Sequence, residues 1–299
     1  MNEYALHLGV LVALYGVLAF GQGLLLGFGN LLFVTQAAAL GIGAYAWAIL
    51  TVHSVPPELA LLLGSAAAVA VIVPLALPTL RLTGDYLLVA SLALCEVVRS
   101  FLNNTPELTG GAQGLMGVPL LRLGPWKIAS TQDYLIVAGV LLFLVVIGHV
   151  VVTRSPYGRL LRATGEGAAN LAGEDAMRAL GKPVRRVRMS AVAAAAATAG
   201  LAGGIYASYL TYIDPTQFTI WDSVLVLEMV VFGGLGTIRG TLAGAAAFVV
   251  IPELLRFANL PDSSAGPLRQ ILFGLLLLVV LRYRPAGLLG RGDLAWLRA

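Results

Sequence analysis

The sequence predicts an all-α, polytopic transmembrane helical bundle of about nine spans, with eight and ten as the bounds. Three observations carry that expectation. Hydrophobic residues make up 59% of the chain and charged residues 11%, with a mean hydropathy of +0.88. Soluble domains carry about 25% charged residues, so there is too little polar surface here to wet a soluble globule. The apolar residues fall into runs close to the roughly 20 residues that a helix needs to cross the hydrocarbon core. The basic residues fall between those runs, concentrated in one loop and the tail.

In chain order the apolar windows are 4–28, 31–53, 58–80, 85–104, 132–153, 187–212, 220–238, 240–257 and 268–283. No basic region followed by a small-residue cleavage site precedes the first, so it is expected to be a span and not a signal peptide. All should be helices, because runs this continuously apolar lack the alternation of a membrane barrel. The whole of 1–299 is expected to form one transmembrane domain, with a cytoplasmic loop at 155–186.

Orientation follows from the basic residues. Between the fifth window and the first residues of the sixth lie Arg154, Arg159, Arg162, Arg178, Lys182, Arg185, Arg186 and Arg188, eight of the 19 basic residues. That loop is therefore cytoplasmic. The tail, with Arg282, Arg284, Arg291 and Arg298, lies an even number of spans away and should share its side. The same parity puts Arg81 inside and residues 212–219 outside, while Arg122 and Lys127 fall outside against the trend. A net charge of +4 and a pI near 9.4 do not indicate nucleic acid, since topology alone accounts for them. Cys95, the single cysteine, excludes an internal disulfide and is expected to be a small buried hydrophobe.

Polar residues inside apolar runs are costly and so informative. Glu96 and Arg99 are three apart near the end of the fourth window, and Glu253 and Arg256 repeat that spacing near the end of the eighth. Such pairs share a helix face. They are either interfacial ion pairs that steady a helix end or the polar lining of a pathway mouth. Glu228 is a lone charge midway along the seventh window and should face the interior or a partner. Gln22, Asn30, Thr35 and Gln36 interrupt the second apolar region amid Gly21, Gly23, Gly27, Gly29, Gly41 and Gly43. Glycines let helices approach closely, and amides among them suit a broken helix lining a watery cavity. A second glycine-rich interruption spans 233–240. Two such breaks, with the repeated Glu-x-x-Arg, suggest an internal duplication.

No catalytic constellation accompanies these features. His7, His53 and His149 are far apart and lack metal-ligand spacing. Neither Gly-x-Ser-x-Gly nor His-Glu-x-x-His occurs. No Gly-x4-Gly-Lys-Ser/Thr loop is present, so the chain is not expected to be an enzyme or to hydrolyse ATP itself.

Several motifs in order resemble a known family. They are Leu80-Arg81-Leu82-Thr83-Gly84-Asp85-Tyr86-Leu87, Glu96-Val97-Val98-Arg99, Asn103-Asn104 and Leu108-Thr109-Gly110-Gly111-Ala112-Gln113-Gly114. Then come Ser155-Pro156-Tyr157-Gly158-Arg159, Ala199-Gly200-Leu201-Ala202-Gly203-Gly204 and Asp214-Pro215-Thr216-Gln217-Phe218-Thr219. The last are Val230-Val231-Phe232-Gly233-Gly234-Leu235-Gly236-Thr237 and Ile251-Pro252-Glu253-Leu254-Leu255-Arg256. From about residue 15 to 290 the chain is similar to the LivM-type permeases, membrane subunits of ABC importers for branched-chain amino acids. The resemblance implies a bacterial inner-membrane, multi-pass subunit paired with a LivH-like second permease. It also implies two ATPases of the LivG and LivF kind, which bind the ATP, and a periplasmic substrate-binding protein. The subunit itself would carry no cofactor, no metal and no nucleic acid.

On that resemblance the basic loop becomes the element that sits in a groove of the ATPase, with Arg162, Glu166, Glu174, Asp175 and Gly181 as contact candidates. Its pattern is a short helical hairpin, 159–164 and 166–180, ended by Gly181. The stretch from Gly158 to Gly181 is longer than the family pattern, with Gly165, Gly167 and Gly173 extra, so the register of the contact residues is open. Gln22, Asn30, Gln36, Glu96, Arg99, Asn103, Glu228, Glu253 and Arg256 are the candidates for a polar path. Alternatives are a urea or short-amide permease of the same scaffold, or a stand-alone secondary transporter with an ion-coupling residue at the midplane.

Overall fold

Each apolar window becomes a helix in the computed structural model, which describes residues 2–82, 84–124, 126–165, 172–256, 262–284 and 287–290. The long helices are α1 Asn2–Gly29, α2 Gln36–Val52, α3 Pro57–Thr79, α4 Asp85–Asn103 and α6 Thr131–Arg154. They continue with α9 Val184–Leu210, α10 Ile220–Gly233, α11 Ile238–Arg256 and α12 Asp262–Tyr283. Short helices α5 Pro106–Thr109, α7 Pro156–Gly165 and α8 Ala172–Ala179 lie in the connections. Among the described residues, five helices are long and apolar enough to cross a membrane: α1, α3, α6, α9 and the stretch Pro215–Gly233 that contains α10. Gln36–Val52 and Gln270–Val280 are shorter apolar helices.

Local chemistry sets the helix starts. Pro57 opens α3 at a position where a missing N–H costs nothing. Ser130 and Asp133 cap α6 reciprocally. The Asp222 carboxylate accepts from both the N–H and hydroxyl of Thr219 at the start of α10.

Helix α2 is buried along most of its length and packs on α9 through glycine. A Cβ at Gly43 would overlap the carbonyl of Gly200, and one at Gly203 would overlap that of Leu40. The two backbones touch, which is how small residues bring membrane helices together. Helix α6, by contrast, is peripheral: only 6% of its apolar window is buried, against 72% for α1.

The connections sort into two ends. At one, β1 (Leu115–Met116) pairs antiparallel with β4 (Tyr212–Ile213), and β2 (Arg122–Leu123) pairs with β3 (Trp126–Lys127). Glu58 joins this end by accepting from the Gly124 N–H. At the other, Leu161 of α7 packs near Gly29, Gly27 abuts Gly236, and Gly234 abuts Gly290 of the tail. The arginine-rich loop and the tail therefore share one end, and Arg122 and Lys127 lie at the opposite one. That grouping agrees with the parity of the basic residues.

Two window edges need correction. The second span does not start at residue 31: residues 30–35 are non-helical and α2 starts at Gln36. The seventh does not reach residue 238: α10 stops at Gly233, where Gly234 takes φ 120°, and α11 starts at Ile238. Mean hydropathy averaged over a window does not resolve either stop, because both interruptions are short and mostly apolar or glycine.

Candidate functional site

Both breaks expected from the glycine-rich interruptions are present, and the second lies against Gly27, near the end of α1 that leads into the first. The first begins at Asn30, a non-glycine residue at φ 47°. Its non-helical backbone lies inside the bundle, where an unpaired amide costs about 1–3 kcal/mol. Neighbouring helices supply the partners. The Val34 N–H donates to Ser91 Oγ of α4 at 2.9 Å, and the Ala37 N–H donates to Ser223 Oγ of α10 at 3.0 Å. The Cys95 thiol lies 3.3 Å from the Val34 carbonyl and 3.4 Å from Ser223 Oγ. Cys95 is buried as expected, but it works as a polar partner of the break and not only as a small hydrophobe. Non-helical backbone at membrane depth is tolerated only under such cover.

Replacing Ser91 and Ser223 together by Ala should orphan two buried amides. The expected result is destabilisation of about 2–6 kcal/mol, read as a lower thermal midpoint of the detergent-solubilised chain. An unchanged midpoint would show that the break is held by something else.

The break is tied to the basic loop. Asn30 Nδ2 donates to the Gly165 carbonyl at the end of α7, at 3.4 Å. A Cβ at Gly165 would sit 2.8 Å from the Gly29 carbonyl. The Arg162 guanidinium stacks on the Phe28 ring at 4.7 Å and donates to the Thr153 carbonyl at 3.1 Å. The Arg188 Nη2 donates to the Thr164 carbonyl at 3.4 Å. The Tyr157 hydroxyl bonds the Val187 carbonyl and Ser190, fixing the base of α7 to α9; burial holds its pKa above the usual range, with Ser190 opposing. At the second break, the Leu288 and Leu289 N–H groups donate to the Phe232 and Gly233 carbonyls. One junction thus joins the basic loop, the end of α1, both breaks and the tail.

Of the loop candidates, Arg162 is engaged within the chain at this junction. Asp175 is exposed on α8, 3.8 Å from Arg178. Gly181 ends α8 at φ 69°, with the Gly181 N–H on the Arg178 carbonyl and the Lys182 N–H on that of Met177. This is the glycine stop that the pattern predicts. Helix α8 is described over Ala172–Ala179, within the expected 166–180; residues 166–171, Glu166 included, and the side chain of Glu174 lie outside the described residues.

The pathway candidates separate. Gln22 does not interrupt a helix: it lies inside unbroken α1, fully buried, and neither amide atom has a partner among the described residues. Gln36 opens α2, is 2% exposed, and its Oε1 is likewise unpartnered. Both are packed against protein, not against an open cavity. Glu228 is half-buried on α10, and Asn103 is half-buried at the end of α4. Glu96 and Arg99 form the expected ion pair, with Arg99 Nε 3.0 Å from both carboxylate oxygens. Glu253 accepts from the Tyr4 hydroxyl at the start of α1, and the Arg256 side chain lies outside the described residues. Ser91 and Ser223 escaped the sequence reading. Their only signal is a hydroxyl inside an apolar run, which ordinary helix packing also produces. Among the described residues no three His, Cys, Asp or Glu converge as a metal site would require.

Comparison with known proteins adds the relatives. Residues 4–281 match the family model for the permease component of branched-chain amino-acid transport systems. The chain is similar to the high-affinity branched-chain amino-acid transport permease LivM of Escherichia coli K12, at 30% identity over 97% of this chain and 71% of that one. The LivM permease of Salmonella typhimurium LT2 is 29% identical over the same shares. No solved structure matches the chain.

Proposed function

The chain belongs to the family of branched-chain amino-acid transport permeases, and from that premise we propose that it is one inner-membrane half of an ABC importer. It passes branched-chain amino acids across the membrane beside a LivH-like second permease. Two LivG- and LivF-like ATPases on the cytoplasmic side drive it, and a periplasmic binding protein delivers the substrate. It carries the path and binds no ATP.

The junction at Asn30 supports this reading most. A motor that moves the α7–α8 hairpin pulls on Gly165, and Gly165 is bonded to the first residue of the α1–α2 break. The break is held by hydroxyl and thiol side chains of α4 and α10 instead of by a continuous helical ladder. Such bonds can be exchanged for others at small cost, while an α-helix resists stretching along its axis. Arg162 locks α7 to Phe28, so the hairpin and the end of α1 move as one. Glu166, Glu174 and Asp175 are the residues left to meet the ATPase.

Alanine at both Glu174 and Asp175 should weaken capture of the ATPases and lower substrate-stimulated ATP hydrolysis by about tenfold, the loss expected for two charge-assisted contacts at a rim. Co-purification and phosphate release check this. Wild-type stimulation in the double variant would remove α8 from the contact.

A further inference from the structure

We propose that the Glu96–Arg99 pair is a binding site within the membrane for the α-ammonium and α-carboxylate of a zwitterionic amino acid, an inference that rests on the substrate class proposed above. The first ground is depth. Cys95, one residue before Glu96, bonds the Val34 carbonyl, so this turn of α4 is level with the α1–α2 break. From Asp85 to Glu96 the helix rises roughly 16 Å at about 1.5 Å per residue, which is about half of the roughly 30 Å hydrocarbon core. The related pair on α11 differs. Glu253 lies three residues from the end of α11, against seven for Glu96 on α4, and is met by Tyr4, close to the start of α1.

The second ground is exposure. The side chains remain 42% exposed at Glu96 and 31% at Arg99, on the flank of α4 away from buried Leu87, Ser91, Cys95, Val98 and Leu102. The open face of peripheral α6 carries Ile136, Val140, Phe143 and Ile147, which suits lipid. Charges do not, and the cost of placing a Glu and an Arg in a span far exceeds what an exposed pair three residues apart returns to its helix. On α4 the exposed Val89, Val97 and Phe101 leave the pair as a polar island in apolar surface, so its cost calls for a charged or zwitterionic partner.

The third ground is the chemistry of the pair. Arg99 spends Nε and Nη2 on Glu96, and the guanidinium carries five N–H donors, so its Nη1 edge is available to a carboxylate. Carboxylate lone pairs of Glu96 are available to an ammonium. A zwitterion can lie antiparallel against the pair, with opposite charges facing, while the pair stays intact. Site and ligand are both net neutral, so binding moves no net charge into the membrane. Exposed Ala93 and Ser100, one turn either side of Glu96, leave room for the ligand backbone.

The test uses the complete importer, with its partner permease, ATPases and binding protein, in proteoliposomes, and it reads uptake of radiolabelled leucine. Assembly is scored by co-purification. The neutral variant E96Q/R99Q should assemble and lose about tenfold or more in uptake at subsaturating leucine. The reversed pair E96R/R99E keeps the helix ion pair but turns the dipole, and it should assemble without restoring uptake. Recovery of uptake in the reversed pair, or wild-type uptake in the neutral one, would overturn the site and leave a merely structural pair. Where the double variants fail to assemble, R99K decides: it keeps the charge but loses the fork, so KM for leucine should rise severalfold, and an unchanged KM would overturn the site. Urea uptake without leucine uptake by the wild-type complex would instead overturn the proposed substrate class.

Discussion

Gly203→Leu is expected to leave no folded chain. The added side chain would begin inside the Leu40 carbonyl and 2.8 Å from the Ala44 N–H group. Both obstacles are backbone, so no rotamer change relieves them, and α2 and α9 would have to part. Ordinary overpacking costs about 1–3 kcal/mol, and this contact exceeds it because a whole helix must shift. A protein is stable by only about 5–15 kcal/mol, and the α2–α9 contact lies at the centre of the bundle. The check is size-exclusion chromatography of the detergent-solubilised variant, which should yield aggregate and little monodisperse protein. A wild-type profile would show that α2 and α9 do not touch through their backbones.

Gly165→Leu should act differently, sparing the bundle and breaking the junction. Its Cβ would press on Gly29 and Asn30, 2.8 Å from the Gly29 carbonyl, at the end where α7 meets α1. Helix α7 can swing away without opening α2 and α9, so the chain should still insert and assemble. The link from the hairpin to the break would be lost. Couplings between sites are typically worth 5- to 150-fold, and ATP-driven leucine uptake should fall by about that range while ATP hydrolysis continues. Uptake and hydrolysis falling in equal proportion would mean that the junction only supports the fold.

Much of this architecture was legible in the sequence because the bilayer imposes it. Hydropathy finds α1, α3, α6 and α9 to within three residues at each end, since a span is a length of apolar chain. Gly181 marked the end of α8 because only a left-handed stop suits it there. The windows failed at 31–35 and 234–237, where the chain stays mostly apolar or glycine-rich while its backbone leaves the helix. Those stops depend on partners far away in sequence: Ser91 and Ser223 satisfy the first, and Leu288 and Leu289 the second. Gln22 and Gln36 were visible as amides in apolar surroundings, but burial against protein is a tertiary fact that no window holds. The Glu96–Arg99 pairing was readable from its spacing. Its depth was not, because depth is fixed by the contact of Cys95 with Val34.

The most direct measurement is uptake of radiolabelled leucine into proteoliposomes holding this chain, with and without its partner permease, ATPases and binding protein, and with ATP supplied or withheld. A membrane half whose break is worked by a cytoplasmic hairpin should accumulate leucine only in the complete complex and only with ATP. Accumulation by the chain alone, or by the complex without ATP, would contradict it.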